Sequence, residues 1–456
     1  MKKTLFLTLI TTFFAVSITS ISAQTNWVKL FDGKTLAGWK QATGTANYKV
    51  ENEAIVGITV PSSPNSFLIT EKQYGDFVLE LEVKIEDTTS NSGIQFRSQF
   101  DANGNNGKGK VFGYQYELDP SARQWTAGVY DEARRGWLYP LSLNPVAQNA
   151  FKLNEFNKVK IECVGSTIRT WINGQAAAIV IDTVDKKGII ALQVHAISKA
   201  DLAGKKIYWK NIRIKSATQS TLDAPKSIYV VNRIPNQLSV FEKTNGYKLL
   251  FDGVSSRGWK SAFNDSFPSK GWFIKDGVIG VEEHGGAESK YGGDIVTLEQ
   301  FSAFDLSFDF KITKGANSGV KYFVTLKEKN SGSAIGPEFQ VLDDSTHPDA
   351  KLGNNGNRTL GSLYDLITAK KEKRFINQPG EWNTGRIVVY RNNHVEHYLN
   401  GVKVVEYERG SKAFKDLVAI SKFKVWPNFG EAKEGRILLQ DHGNAVNFRS
   451  IKIKTL

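Results

Sequence analysis

The 456-residue chain holds one cysteine, Cys163, so no intrachain disulfide can form and no cysteine-based metal cluster is available. Past residue 23 no stretch reaches the roughly 18 to 20 apolar residues of a membrane span, and no transmembrane segment is expected. Twelve prolines and forty glycines are too few for a fibrous chain but enough for many turns. There is no His-Glu-x-x-His zinc helix and no Gly-x-Ser-x-Gly elbow. No Gly-x-x-x-x-Gly-Lys loop ends in Ser or Thr. The formal charge is +13, yet the basic residues are scattered through strands and loops without a helix or finger motif. No nucleic-acid partner is therefore expected.

Apolar residues at 41% and charged residues at 23% describe a soluble globular chain. Its length exceeds what one hydrophobic core usually serves, which predicts two domains of roughly 200 residues each. Residues 1–23 read as a secretory signal peptide. Lys2 and Lys3 form a basic start, Leu5 to Ile21 is apolar apart from Thr and Ser, and Ala23 offers a small residue for cleavage. No cysteine follows, so a lipoprotein route is not expected. Cleavage would remove two lysines and no acids, leaving +11. The expected destination is export, to the periplasm or the cell surface.

A duplication sets the architecture. Leu30-Phe31-Asp32-Gly33 and Gly38-Trp39-Lys40 return as Leu250-Phe251-Asp252-Gly253 and Gly258-Trp259-Lys260. Asn91-Ser92-Gly93 returns as Asn317-Ser318-Gly319, Asn173-Gly174 as Asn400-Gly401, and Leu-Gln-Val-His at 192–195 as Leu-Gln-Asp-His at 439–442. Matches in one order with drifting offsets mean duplicated domains whose loops differ in length, not a solenoid. The expected boundaries are 24–215 for the first copy, 216–246 for a linker that partly packs, and 247–456 for the second copy. Within each copy the apolar period is two: Phe77, Leu79, Leu81, Val83 and Ile85, then Phe304, Leu306, Phe308, Phe310 and Ile312. Many strands and few helical patterns predict an all-β fold of two antiparallel sandwiches.

One strand in each copy is polar on one face. Gln115, Glu117 and Asp119 share a face in the first copy, as Glu338 and Gln340 do in the second. A row of amides and carboxylates suits a sugar groove, and equally a solvated outer strand. After these strands, Tyr130-Asp131, with Arg134 and Arg135, corresponds to Tyr364-Asp365. These fit either a groove-edge loop reaching a ligand or a solvated hairpin. His195 and His442 recur beside Gln193 and Gln440, as acid/base candidates or as structural imidazoles. His394 and His397, three apart on a predicted strand, face opposite ways and cannot chelate one metal. Glu117-x-Asp119 is followed by Ser121, and Glu338 by Gln340. The Glu-x-Asp-x-Glu strand of laminarinase-type glucanases is therefore missing.

Phe-Asp-Gly-Lys-Thr-Leu-x-Gly-Trp at 31–39, Asn-Ser-Gly-Ile at 91–94, Leu-Gln-x-His twice and Pro-Gly-Glu-Trp-Asn at 379–383 together resemble the 3-keto-disaccharide hydrolase family, over both halves. The resemblance implies concanavalin-A-like lectin/glucanase jelly rolls in tandem. It also implies cleavage of 3-keto-glycosides by 1,2-elimination and hydration of a 2-hydroxy-glucal. On that chemistry Glu338 and His442 are the expected acid/base pair of the second copy, with Gln340, Asp343, Tyr364 and Asp441 around the sugar. Glu117 and His195 take those roles in the first, with Gln115, Asp119, Tyr130 and Arg134. A divalent cation is compatible with the enolate chemistry, but the spacing names no ligand set. The same grooves also fit a non-catalytic tandem lectin-like protein binding carbohydrate.

Overall fold

The structure, a computed structural model, describes residues 27–456 apart from 218–224, 226, 289, 327–328 and 331–332; the signal-peptide reading lies outside the described residues. Alternation in the sequence becomes burial in the fold. Leu79, Val83 and Ile85 in Phe77–Ile85, and Phe304, Leu306 and Phe310 in Phe304–Ile312, are fully buried, while Glu80, Glu82, Lys84, Asp309 and Lys311 are not. Each fully buried side chain of this size contributes roughly 1.5 to 3 kcal/mol. One continuous apolar cluster fills each half.

Each half is a sandwich of two sheets, as the two-residue period predicts. In the first half a nine-stranded sheet centred on Asn157–Val164, Phe77–Ile85 and Lys206–Ser216 faces a seven-stranded sheet. The latter runs Gly136–Tyr139, Val129–Glu132, Lys110–Leu118, Ser92–Asp101, Ile189–Val194, Ser66–Thr70, Trp39–Thr43. In the second half an eight-stranded sheet containing Val446–Thr455, Phe304–Ile312 and Asn383–Val389 faces a five-stranded one. That sheet runs Trp259–Ser261, Ile295–Thr297, Arg436–Leu439, Asn317–Val324, Glu338–Leu342. The chain is all-β, two jelly-roll sandwiches in tandem.

The opening motif of each copy is structural. Asp32 accepts hydrogen bonds from the Lys34 and Thr35 amides, and Asp252 from those of Val254 and Ser255. The indoles of Trp39 and Trp259 then donate to the Leu30 and Leu250 carbonyls, 2.6 Å each.

The described connector residues from Ile228 to Phe241 pack against the first half. Val230–Asn232 adds a parallel strand to Gln175–Ile181, and Ile228, Val230 and Phe241 bury against Ile179 and Ile181. Ser239 and Glu242 close a capping box on the helix Val240–Thr244. The halves touch directly. Tyr229 OH donates to Ser307 Oγ at 3.1 Å, Ser142 Oγ to the Gly401 carbonyl at 3.0 Å, and the Phe375 ring lies 5.3 Å from Trp125. Gly401 is doubly constrained: its φ is +82°, and a Cβ there would meet Pro140 Cγ at 2.7 Å.

Candidate active sites

The acid-bearing strand lies beside the Asn-Ser-Gly strand in both halves. Gly93 is opposite Glu117 and Gln95 opposite Gln115; Gly319 is opposite Gln340 and Lys321 opposite Glu338. The glycine leaves a trough across which the neighbouring long side chain lies. A Cβ on Gly93 would come 2.3 Å from Gln115 Cδ, and one on Gly319 2.0 Å from Glu338 Oε1. Ser92 and Ser318 tie this strand to the Leu-Gln-x-His strand, donating to the Gln193 and Gln440 carbonyls at 2.7 and 2.9 Å. The repeated tripeptide thus seats the acid.

In the first half Glu117 accepts from Asn91 Nδ2 and Gln115 Nε2, both at 2.8 Å, and Gln95 Nε2 donates to Gln115 Oε1 at 2.5 Å. Burial nevertheless pushes the Glu117 carboxyl up to about 7, with Asp119 and Glu132 adding to the rise. These groups line a cavity of about 620 Å³, together with Tyr130, Trp137 and His195. Fully buried Gln193 also lines it, with neither amide atom bonded. Asp119 faces this cavity and is ion-paired to Arg123 at 2.8 Å.

Two sequence expectations change here. His195 is exposed, and the carboxyl its charge bears on is Glu132, which burial raises while the Asn65 amide and, less, His195 oppose the rise. No hydrogen bond or ion pair among the described residues joins His195 to Glu117. Arg134 is turned off the groove, because its Nε bonds both oxygens of fully buried Asp131 at 3.0 Å and its Nη2 reaches Asp185 at 2.6 Å. The neighbouring Arg135 lines the cavity instead, 2.7 Å from Asp182, with its Nη2 buried and unpartnered. Within the strand Val129–Glu132, Tyr130 and Glu132 face the groove and Asp131 between them faces away. Both arginines, on the turn that follows, bond Asp131, and their second partners, Asp185 for Arg134 and Asp182 for Arg135, set them apart.

In the second half charge replaces amide. Lys321 occupies the register position of Gln95, Glu338 that of Gln115 and Gln340 that of Glu117. With its amide turned to satisfy both ends, Gln340 donates to Glu338 Oε1 at 3.1 Å, repeating the amide–carboxyl pair of the first half in reverse order. Burial pushes Glu338 up to about 7 against the pull of the Lys321 and Lys422 ammoniums. Lys321 donates to the Ala334 carbonyl and lies 3.6 Å from Asp294. Tyr364 carries Lys422 4.2 Å over its ring and donates its hydroxyl to Asp349 at 2.8 Å.

The remaining expected residues of this half divide. Asp441 is fully buried, takes the Gly443 amide on Oδ1 and stands 3.4 Å from His284 Nε2. His442 has a buried, unbonded Nδ1 and packs edge-on to His347, ring centroids 5.9 Å apart. No hydrogen bond or ion pair among the described residues joins it to Glu338. Asp343 belongs to a turn. Burial would raise it, but the Ser345 and Thr346 hydroxyls and the Gly315 and Ser345 amides hold it down to about 2.

Sequence reasoning did not single out Glu132, Gln95, Lys321, Asp294, His284 or Lys422. Period two would have found Glu132 from Tyr130, and Lys321 from Gly319. Lys422 and His284 arrive from distant segments and carry no local signal. His394, Glu396 and Glu406 bring ligand atoms within 4.8 Å of one another on the eight-stranded sheet. Lys403 Nζ already occupies that cluster, 3.2 Å from Glu396 and 2.5 Å from Glu406, so the donor set does not fit a divalent cation. His397 is buried on the other face against Tyr322.

Two jelly rolls, each with a carboxyl that burial pushes up to about 7 on its polar face, are the frame on which a glycoside-cleaving enzyme is built here, as its family shows. Residues 26–215 and 246–454 match the 3-keto-alpha-glucoside-1,2-lyase-like domain family, and the chain belongs to it. A 3-keto-disaccharide hydrolase of Bacteroides thetaiotaomicron is 38% identical over 265 residues, spanning 53% of this chain and 89% of that protein. A crystallised protein of Parabacteroides distasonis is 32% identical over 49% of this chain and 99% of its own, with a TM-score of 0.42. The carbohydrate binding module CBM66 of Bacillus subtilis is 18% identical over 39% and 96%, with a TM-score of 0.28.

Proposed function

We propose that this chain cleaves glycosides carrying a ketone at C3, by 1,2-elimination and then hydration. The observation that carries the reading is Glu338: a buried carboxyl near neutral pKa with two ammoniums beside it. A C3 ketone acidifies the proton on C2, so a carboxylate of that basicity can remove it. Lys321 and Lys422 stabilise the enolate, a role typically worth about 3 kcal/mol per good donor. The C1–O bond then breaks, and protonated Glu338 returns the proton to the leaving oxygen. Water adds across C1 and C2 by the reverse route, and the sum is hydrolysis. In the first half Glu117 has amides where Glu338 has ammoniums, which favours a binding role there.

NMR of the chain with a 3-keto-disaccharide beside the unoxidised sugar tests the reading. Loss of the keto-sugar alone, abolished in Glu338→Gln and kept in Glu117→Gln, is the expected result. An unchanged keto-sugar that still binds would leave a tandem lectin. We further infer export, from Lys2, Lys3 and the apolar run from Leu5 to Ile21. Recovery in the periplasmic or surface fraction of the source cells checks it.

A further inference from the structure

The second half covers the first half's groove. The Gln115–Glu117 row forms one wall of the 620 Å³ cavity, and the outward face of the sheet carrying Phe304–Ile312 and Val446–Thr455 forms the other. That volume suits a ligand of more than one ring. The wall supplied by the connector and the second half is cationic: Arg233, Arg374, Arg386 and Lys452 reach the cavity against a single carboxylate, Asp309. Arg386 and Lys452 are balanced from behind by Asp305 and Glu242, and Asp309 is held by Thr384 and Arg449. The Arg233 guanidinium has no hydrogen-bond or ion-pair partner among the described residues. Among the described residues Arg374 ion-pairs with Glu372 alone, both being more than half exposed, and its guanidinium lies 4.8 Å over the Phe375 ring. On the facing wall Gln193 presents a fully buried amide with both ends unbonded, and Trp137 and Tyr130 meet edge to face at 5.2 Å.

We propose that this cavity between the halves is a binding site for an acidic glycan of at least two sugar units. Its carboxylate lies against Arg233 and Arg374, a guanidinium fork being suited to bidentate recognition of that group. The adjoining ring packs on Trp137, and its hydroxyls pair with the Gln193 amide. The second half thereby sets the specificity of the first half's groove, and the site exists only in the two-copy chain.

The test is calorimetric binding to the full chain at low ionic strength of a glucosyl-glucuronate and the matching glucosyl-glucose. The expected result is about tenfold tighter binding of the acidic sugar, a gap that narrows at ~0.5 M salt as the charges are screened. The double variant Arg233→Gln/Arg374→Gln closes the gap, and Trp137→Ala weakens both sugars. Equal affinity for the two sugars, or a preference that survives in the double variant, overturns the proposal. Turnover of a 3-keto-disaccharide is read separately. Turnover without the acidic preference removes this proposal alone, and the preference without turnover removes only the catalytic reading.

Discussion

At the scale of single residues, Glu117 and Glu338 are carboxyls that the fold holds at a cost. Their ordinary pKa is 4.5 and burial raises both to about 7. Because the folded value is the higher one, their stabilising contribution is complete below pH 4.5 and is lost as pH rises through 7. Each Gln variant therefore melts at a higher temperature than the parent at pH 8, by the equivalent of up to about 3 kcal/mol, and equally at pH 4. Thermal melts at the two pH values read this directly. The reactive form of Glu338 is the carboxylate, so kcat/KM for elimination rises with pH through about 7. Glu338→Gln lowers kcat about 10²- to 10⁴-fold. Cys163 is fully buried, and burial pushes its thiol up to about 12. A thiol reagent should thus leave the native chain unlabelled and modify it only on unfolding.

At the scale of the element, what matters is one strand pair per half. Asn91-Ser92-Gly93 supplies an amide to Glu117, a hydroxyl to the next strand and an empty position under Gln115. Gly319→Ala would drive a methyl into Glu338, and the acid must move while the ladder of main-chain bonds stays. The expected outcome is a fall in kcat of about 10²-fold with an unchanged far-ultraviolet circular dichroism spectrum. Gly93→Ala should instead weaken sugar binding to the first half. Turnover that survives Gly319→Ala intact would show that Glu338 is not the reacting group.

At the scale of the molecule, the two sandwiches are joined because residues of the second finish the core and the groove of the first. Phe375 of the second half packs into the apolar cluster of the first, against Trp125, and also lines the covered cavity. Phe375→Ala should cost about 3 to 5 kcal/mol and loosen the contact between the halves. Calorimetry is expected to show one melting transition in the parent and two in the variant. A single transition at the parental temperature would mean that the contact contributes nothing.

By itself the sequence determined the all-β sandwiches, their duplication and the polar row on one strand of each. These follow from local rules: side chains alternate across a strand, and a repeat keeps its order whatever its loops do. The same rules identified Glu117, Gln115, Glu338 and Gln340 as neighbours on a face. Only the tertiary structure decided which charges meet them. Lys422 reaches Glu338 from a distant segment, Glu132 rather than Glu117 is the carboxyl beside His195, and Arg134 is drawn away by Asp131 and Asp185. Nor does any pattern along the chain announce that the second half's outer face closes the first half's groove. That contact joins segments far apart along the chain, as Ser142 and Gly401, 259 residues apart, do. Contacts at that separation are set by how whole sheets pack, and no local periodicity carries that information.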